Sequence, residues 1–168
     1  MRTLYLSRHA KAEKGFDGIS DFDRPLNNRG IIDAANMGKM LKQKNIIPAL
    51  FISSPAIRAL STAFIFAREM GYPWNRIKID ENIYEASTDE LLQVIKGVSD
   101  ELGSVMLFGH NPAFTDAANA LTAGTFDNVP TAGVVCMDFE VQSWREIAPG
   151  IGKLRSFDTP KGSAQEDH

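Results

Sequence analysis

The stretch LYLSRHAKAEKG, residues 4–15, decides the architecture. An apolar run of strand character breaks off into an arginine and a histidine, then into small and charged residues, so a buried strand ends here in a loop bearing ionisable groups. Downstream, TLYLS at 3–7, a helical pattern at 32–44, ALFIS at 49–53 and a second helical pattern at 56–70 alternate in the manner of βαβ units. Asn27 or Asn28 can cap the first helix, Ser54 followed by Pro55 can open the second, and Gly71 can close it. A strand RIKID, a helix capped by Ser87 and running to about Asp100, a buried strand SVMLFG and a helix from Asn111–Pro112 to Gly124 continue the series. The last third reads as short strands, GVVCMDFEV, WREI and KLRSFD, joined by turns. The expected fold is therefore a single-domain three-layer α/β/α sandwich over residues 1–160, mostly parallel with an antiparallel edge near the C-terminus, and a frayed tail at 161–168.

Composition narrows the function. With 168 residues and 43% apolar content the chain can bury a core unaided. One cysteine, Cys136, excludes an internal disulfide framework and a thiolate metal cluster, and no apolar run nears the ~20 residues that span a bilayer. A net charge of −3 argues against a nucleic-acid surface, so any anion site must be local. The N-terminal run is too short for a secretory leader, which makes cytoplasmic residence the expectation.

Sites in open α/β sheets form at the carboxyl ends of strands. Arg8 and His9 fall there after the first strand, Ser53, Ser54 and then Arg58 after the second, Tyr84 and Glu85 after the third, and His110 with Asn111 after the fourth. Arginine forks match phosphate oxygens, a neutral imidazole is a nucleophile, and a second, protonated imidazole can stabilise charge on the equatorial oxygens. That set suits phosphoryl transfer without metal or cofactor, and neither a Walker loop nor a metal-ligand spacing is present in the sequence.

LSRHAKA, DFDRPLNNRG, FISSPAIRALSTA and LFGHNPAF resemble, in order and spacing, the segments of the histidine phosphatase superfamily, the phosphoglycerate-mutase-like enzymes. The likeness runs from about Leu4 to Leu121 and on through the terminal strands. In compactness, and in RPLNNRG, IYEAS and GHNP, the chain is most similar to small bacterial phosphohistidine phosphatases of the SixA type. The resemblance implies that His9 is the nucleophile of a phosphohistidine intermediate, that Arg8, Arg58 and His110 bind the phosphate, and that Glu85 is the candidate general acid. Ala10 stands where most of the superfamily has glycine. Glu13, Asp17, Asp21 and Asp23 compete with Glu85 for the acid's role but read as surface charge. Phe16, Ile19 and Phe22 are expected to pack on their own domain, and Arg24 to organise the loop.

The leading expectation is a metal-independent phosphatase acting on protein phosphohistidine, with a phosphorylated protein such as a phosphotransfer domain as partner. The alternatives are a small-molecule phosphomonoesterase for sugar or nucleotide phosphates, and a weakly catalytic phosphate-binding module.

Overall fold

In a computed structural model, which describes residues 1–160, six strands form one sheet in the order β3-β2-β4-β1-β5-β6. The strands are β1 (Arg2–Arg8), β2 (Phe51–Ser53), β3 (Lys78–Ile79), β4 (Ser104–Gly109), β5 (Val134–Phe139) and β6 (Lys153–Asp158). β3, β2, β4 and β1 run parallel, whereas β5 is antiparallel to β1 and β6 to β5. The antiparallel edge thus lies where the change of pattern in the last third places it.

Helices α1 (Asn28–Gln43), α2 (Ile57–Met70), α3 (Thr88–Lys96) and α4 (Ala113–Thr122) cover both faces. Side chains alternate across a strand, and the two core clusters follow that alternation. Leu4, Leu6, Val105 and Leu107 point toward Leu91, Ile95, Phe114 and Leu121 of α3 and α4. Tyr5, Met106 and Phe108, between them in sequence, join Met37, Leu41 and Phe66 of α1 and α2. Central strands buried on both faces read as near-continuous apolar runs, and β4, SVMLFG, is buried along all but its first residue.

Local chemistry sets the boundaries. Asn27 caps α1 through Gly30 N–H, Ser87 and Glu90 form a reciprocal capping box on α3, and Gly71 closes α2 in the left-handed region at φ 77°. Several expectations need correction. α2 begins at Ile57, and Ser54 is not its cap: the hydroxyl accepts from Ala56 N–H and also bonds His110. α3 stops at Lys96, four residues before Asp100, with Gly97 as its C-cap. Ala123, not Gly124, takes the left-handed position after α4. WREI is no strand; Trp144–Glu146 form a 3-10 turn because Asp100 accepts from Trp144 N–H and Leu102 O from the buried indole. Phe16 does not pack down but is 61% exposed. The tail expected at 161–168 lies outside the described residues. Among the described residues no helix is long and apolar enough to cross a membrane.

One contact ties the fold to the loop after β1. Gly30 lies against the backbone of Lys11, so that a Cβ there would collide with the Lys11 carbonyl oxygen, which also accepts from Asn27 N–H at 3.0 Å. Helix propensity alone favours alanine over glycine by ~1 kcal/mol. The collision is with backbone, which cannot swing aside, and overpacking of this kind costs about 1–3 kcal/mol. Gly30→Ala is therefore expected to lower the urea midpoint of unfolding; a raised midpoint would show that the loop yields freely.

Candidate active site

Strand register brings the site together. Arg8 pairs with Gly109 across β1 and β4, and Ser53 with Phe108 across β2 and β4, so three parallel strands end level. The ladder closes with His9 N–H on Gly109 O at 2.9 Å and Ser54 N–H on Phe108 O at 2.9 Å. His9, Ser54 and His110 emerge side by side, with the two imidazole centroids 5.4 Å apart.

A cavity of about 510 Å³ is lined by Arg8, His9, Arg58 and His110, together with Lys11, Asp21, Arg24, Asn111 and Thr131. The four residues expected to hold and attack a phosphate are therefore all present in one depression. Glu85 is not among them. It is exposed, has a left-handed backbone at φ 56°, and lines an adjoining cavity of about 430 Å³ with Tyr84, Ile83, Ala86 and Pro112. Asp21, Arg58, His110 and Asn111 border both spaces, which makes them two lobes of one site. A larger cavity of about 540 Å³, around Leu50, Gln93 and Leu102, holds none of these groups.

His9 Nδ1 lies 2.7 Å from Ala10 O, which can only accept, so Nδ1 carries the proton and Nε2 keeps the lone pair. Ala10 is fully buried; its N–H donates to Thr62 Oγ1 at 2.9 Å, and Thr62 donates in turn to Arg58 O at 2.8 Å. This relay ties the loop carrying His9 to the helix carrying Arg58. The methyl that stands in place of glycine occupies filled space and leaves the backbone hydrogen bonds intact.

Arg58 is 5% exposed, and its guanidinium donates to Asp21 O at 2.7 Å and Asp21 Oδ2 at 3.0 Å. Asp21 also accepts from Tyr84 Oη at 2.7 Å and pairs with Arg24 at 3.0 Å. The Tyr84 hydrogen bond and the Arg58 charge hold the Asp21 carboxyl down to about 2, so it is ionised. Asp21 is surface charge, as the sequence suggests, with its side chain 55% exposed, and it is also the anion facing Arg58. Arg24, expected to organise the loop, does so through Asp21 and Glu13 O and also borders the cavity. Ser54, expected as a cap, is a partner of His110 Nε2 at 2.8 Å.

Burial holds His9 at about 3 and His110 at about 4, with Arg58 and Arg8 adding to the depression of both. Both rings are accordingly neutral near pH 7 in the site as it stands. A cationic His110, anticipated from the chemistry, needs the negative charge of a phosphoryl group beside it. Among the described residues no group of three or more His, Cys, Asp or Glu side chains is arranged to hold a metal ion.

With this geometry in view, comparison with known proteins is informative. The model of the histidine phosphatase superfamily (branch 1) matches residues 4–95. The chain belongs to this superfamily. It is a phosphatase of the histidine type. An uncharacterized protein of Mycobacterium leprae is 29% identical over 168 residues, covering 92% of this chain and 99% of the relative. Among solved structures, a protein designated phosphohistidine phosphatase SixA from Agrobacterium tumefaciens is 29% identical with a TM-score of 0.78, covering 95% of this chain and 98% of that one. A mycobacterial glucosyl-3-phosphoglycerate phosphatase, solved with VO3, shares the fold at 14% identity and a TM-score of 0.70, covering 95% and 100%. The chain is thus SixA-like within a fold that also hosts small-molecule phosphatases.

The depressed histidines make stability depend on pH. Their folded values lie below the unfolded value near 6.5, so the unfolded chain binds more protons as pH falls. The stability they contribute is full above pH ~6.5 and declines toward about 4 and 3, by up to ~1.4 kcal/mol per pH unit for each ring. Denaturation between pH 7 and 4 should show this slope in the wild type and a shallower one in His9→Asn. Equal slopes would contradict the neutral, buried assignment.

Proposed function

We propose that the chain removes phosphoryl groups from protein phosphohistidine through a phosphoenzyme on His9. The observation that carries this reading is the bond from His9 Nδ1–H to Ala10 O, which leaves Nε2 as the nucleophile in a cavity lined by Arg8, Arg58 and His110. Nε2 attacks phosphorus in line, the N–P bond forms, and the bond to the leaving group breaks with its electron pair going to that group. Water then attacks the phosphohistidine, the pair returns to Nε2, and inorganic phosphate leaves. Arg8 and Arg58 balance the phosphoryl charge, and His110, protonated as that charge arrives, donates to an equatorial oxygen.

The second lobe bears on substrate class. Glu85 lines it and is the proposed general acid in the first step and base in the second, while Asp21, held ionised, is a poor proton donor. A departing imidazole has a conjugate acid near ~6.5 and needs far less help than an alkoxide. An exposed carboxylate that no hydrogen bond or ion pair among the described residues holds in place suits the easier leaving group. The rim of the second lobe, where half-buried Tyr84 meets Phe22 edge-on, supports a protein substrate over an enclosed metabolite.

Two experiments test the reading. With a 32P-labelled phosphohistidine protein and an alkaline quench, acid-labile label is expected on the wild type and not on His9→Ala; equal labelling of both would remove His9 from the reaction. Glu85→Gln is expected to reduce hydrolysis of phosphomonoesters about 10²-fold or more and that of phosphohistidine much less. Equal losses on both substrates would contradict the leaving-group argument, and faster turnover of small phosphomonoesters by the wild type would favour a small-molecule enzyme.

A further inference from the structure

Among the buried polar atoms that find no hydrogen-bond partner among the described residues are three at the wall of the histidine cavity that bear on its chemistry: Arg58 Nε, His110 Nδ1 and Thr131 Oγ1. Arg58 and His110 already have a phosphate to wait for under the reading above. Thr131 does not, for neither its residue type nor its position in the sequence marks it out. Its side chain is 94% buried by the complement of a 6% exposure, a place where hydroxyls are ordinarily paired. Ser7 Oγ is also buried without a partner, but Ser7 does not line the cavity.

The turn that presents Thr131 is held from several sides. Gly133 O accepts from Arg8 N–H at 3.1 Å, and Ala132 N–H is shared between Arg8 O and His9 O, each at 3.1 Å. Val129 O accepts from Arg8 Nη1 at 3.1 Å and from Asn111 Nδ2 at 3.0 Å, while Val129 N–H donates to Thr115 Oγ1 at 3.0 Å. Gly133 N–H closes the turn on Pro130 O at 2.9 Å. Ala132 sits in the left-handed region at φ 60°, a conformation that L-residues with a Cβ adopt at a cost. A strained turn, fastened to the backbone of His9 and to the Arg8 side chain, thus brings Thr131 to the cavity wall with a buried hydroxyl that no described residue pairs.

We propose that Thr131 is a phosphate-binding residue, its hydroxyl donating to an oxygen of the phosphoryl group held between His9 and Arg58. The proposal rests on the reading of this cavity as the phosphoryl site. A neutral hydroxyl adds a directional donor without further charge, in a pocket where more positive charge would depress the histidines further.

The test uses Thr131→Val, which keeps the shape and removes the donor, and Thr131→Ser, which keeps the donor and removes the methyl. Binding of orthovanadate and of inorganic phosphate to the full chain is measured by calorimetry, independently of turnover. Thr131→Val is expected to weaken both about 10-fold or more, as loss of a hydrogen bond to a charged partner does, with Thr131→Ser close to wild type. Unchanged affinity in Thr131→Val overturns the proposal, and so does equal weakening in both variants, which attributes the loss to the shape of the turn. The valine variant is then compared with the parent in an Arg8→Gln background. A persisting loss supports direct contact; its disappearance means that Thr131 acts through Arg8 and overturns it. Wild type that binds neither anion defeats the reading of the cavity itself, a result distinct from normal wild-type binding that Thr131→Val leaves untouched.

Discussion

Arg58 cannot give up its proton, and the fold buries it at the end of a parallel sheet. A buried guanidinium without an anion is among the costlier things a protein can contain, because desolvation is uncompensated. The organisation of the site follows from that constraint. Asp21 comes back across the loop after β1 to supply a carboxylate and a carbonyl, and Tyr84 and Arg24 hold the carboxylate there. The two histidines, crowded by the same positive charge and removed from water, stay neutral. Neutrality at His9 is what an attacking nitrogen requires.

The sheet solves the other half of the problem, which is position. Level strand ends fix His9 and His110 through backbone hydrogen bonds and ring orientation through Ala10 O and Ser54 Oγ. The relay from Ala10 N–H through Thr62 to Arg58 O couples the loop carrying His9 to α2, so a displacement of one is felt by the other. The carboxylates are arranged differently. Asp21 is clamped and ionised, whereas Glu85 sits exposed on a left-handed backbone at the rim of the second lobe. On the proposed reading, that asymmetry separates charge balance at Asp21 from proton transfer at Glu85.

How much of this was legible in the sequence depended on periodicity. Alternating strand and helix patterns place Arg8, His9, Arg58 and His110 at strand ends before any coordinates are known, and the antiparallel edge follows from the loss of helices in the last third. Asp21 escaped because residues 11–25 have no period to read, and four acidic side chains there look alike until one meets Arg58. Ser54 before Pro55 has the form of a helix cap, yet the competing partner lies 56 residues away on His110, which no local pattern reveals. WREI reads as a short strand because nothing in its four residues shows that Asp100 and Leu102 capture the tryptophan. Thr131 is hidden for the same reason: that its buried hydroxyl has no partner among the described residues is a property of three-dimensional packing alone.

The clamp on Asp21 has a consequence for catalysis. On the proposed reading, a phosphoryl group and the Asp21 carboxylate share one guanidinium, so binding is in part an exchange of anions and not a simple gain of contacts. Such an exchange offsets part of what phosphate contacts gain in the bound state, and a contact equally strong in the ground and transition states does not accelerate the chemical step. Contacts that tighten only as charge shifts onto the equatorial oxygens are the ones that accelerate the reaction. On the proposed reading His110 fits that description, because the negative charge it stabilises favours its protonated form. On that reading Asp21 offsets only part of the positive charge that Arg8, Lys11, Arg24 and Arg58 bring to the cavity, so the site still responds to the charge that develops in the transition state.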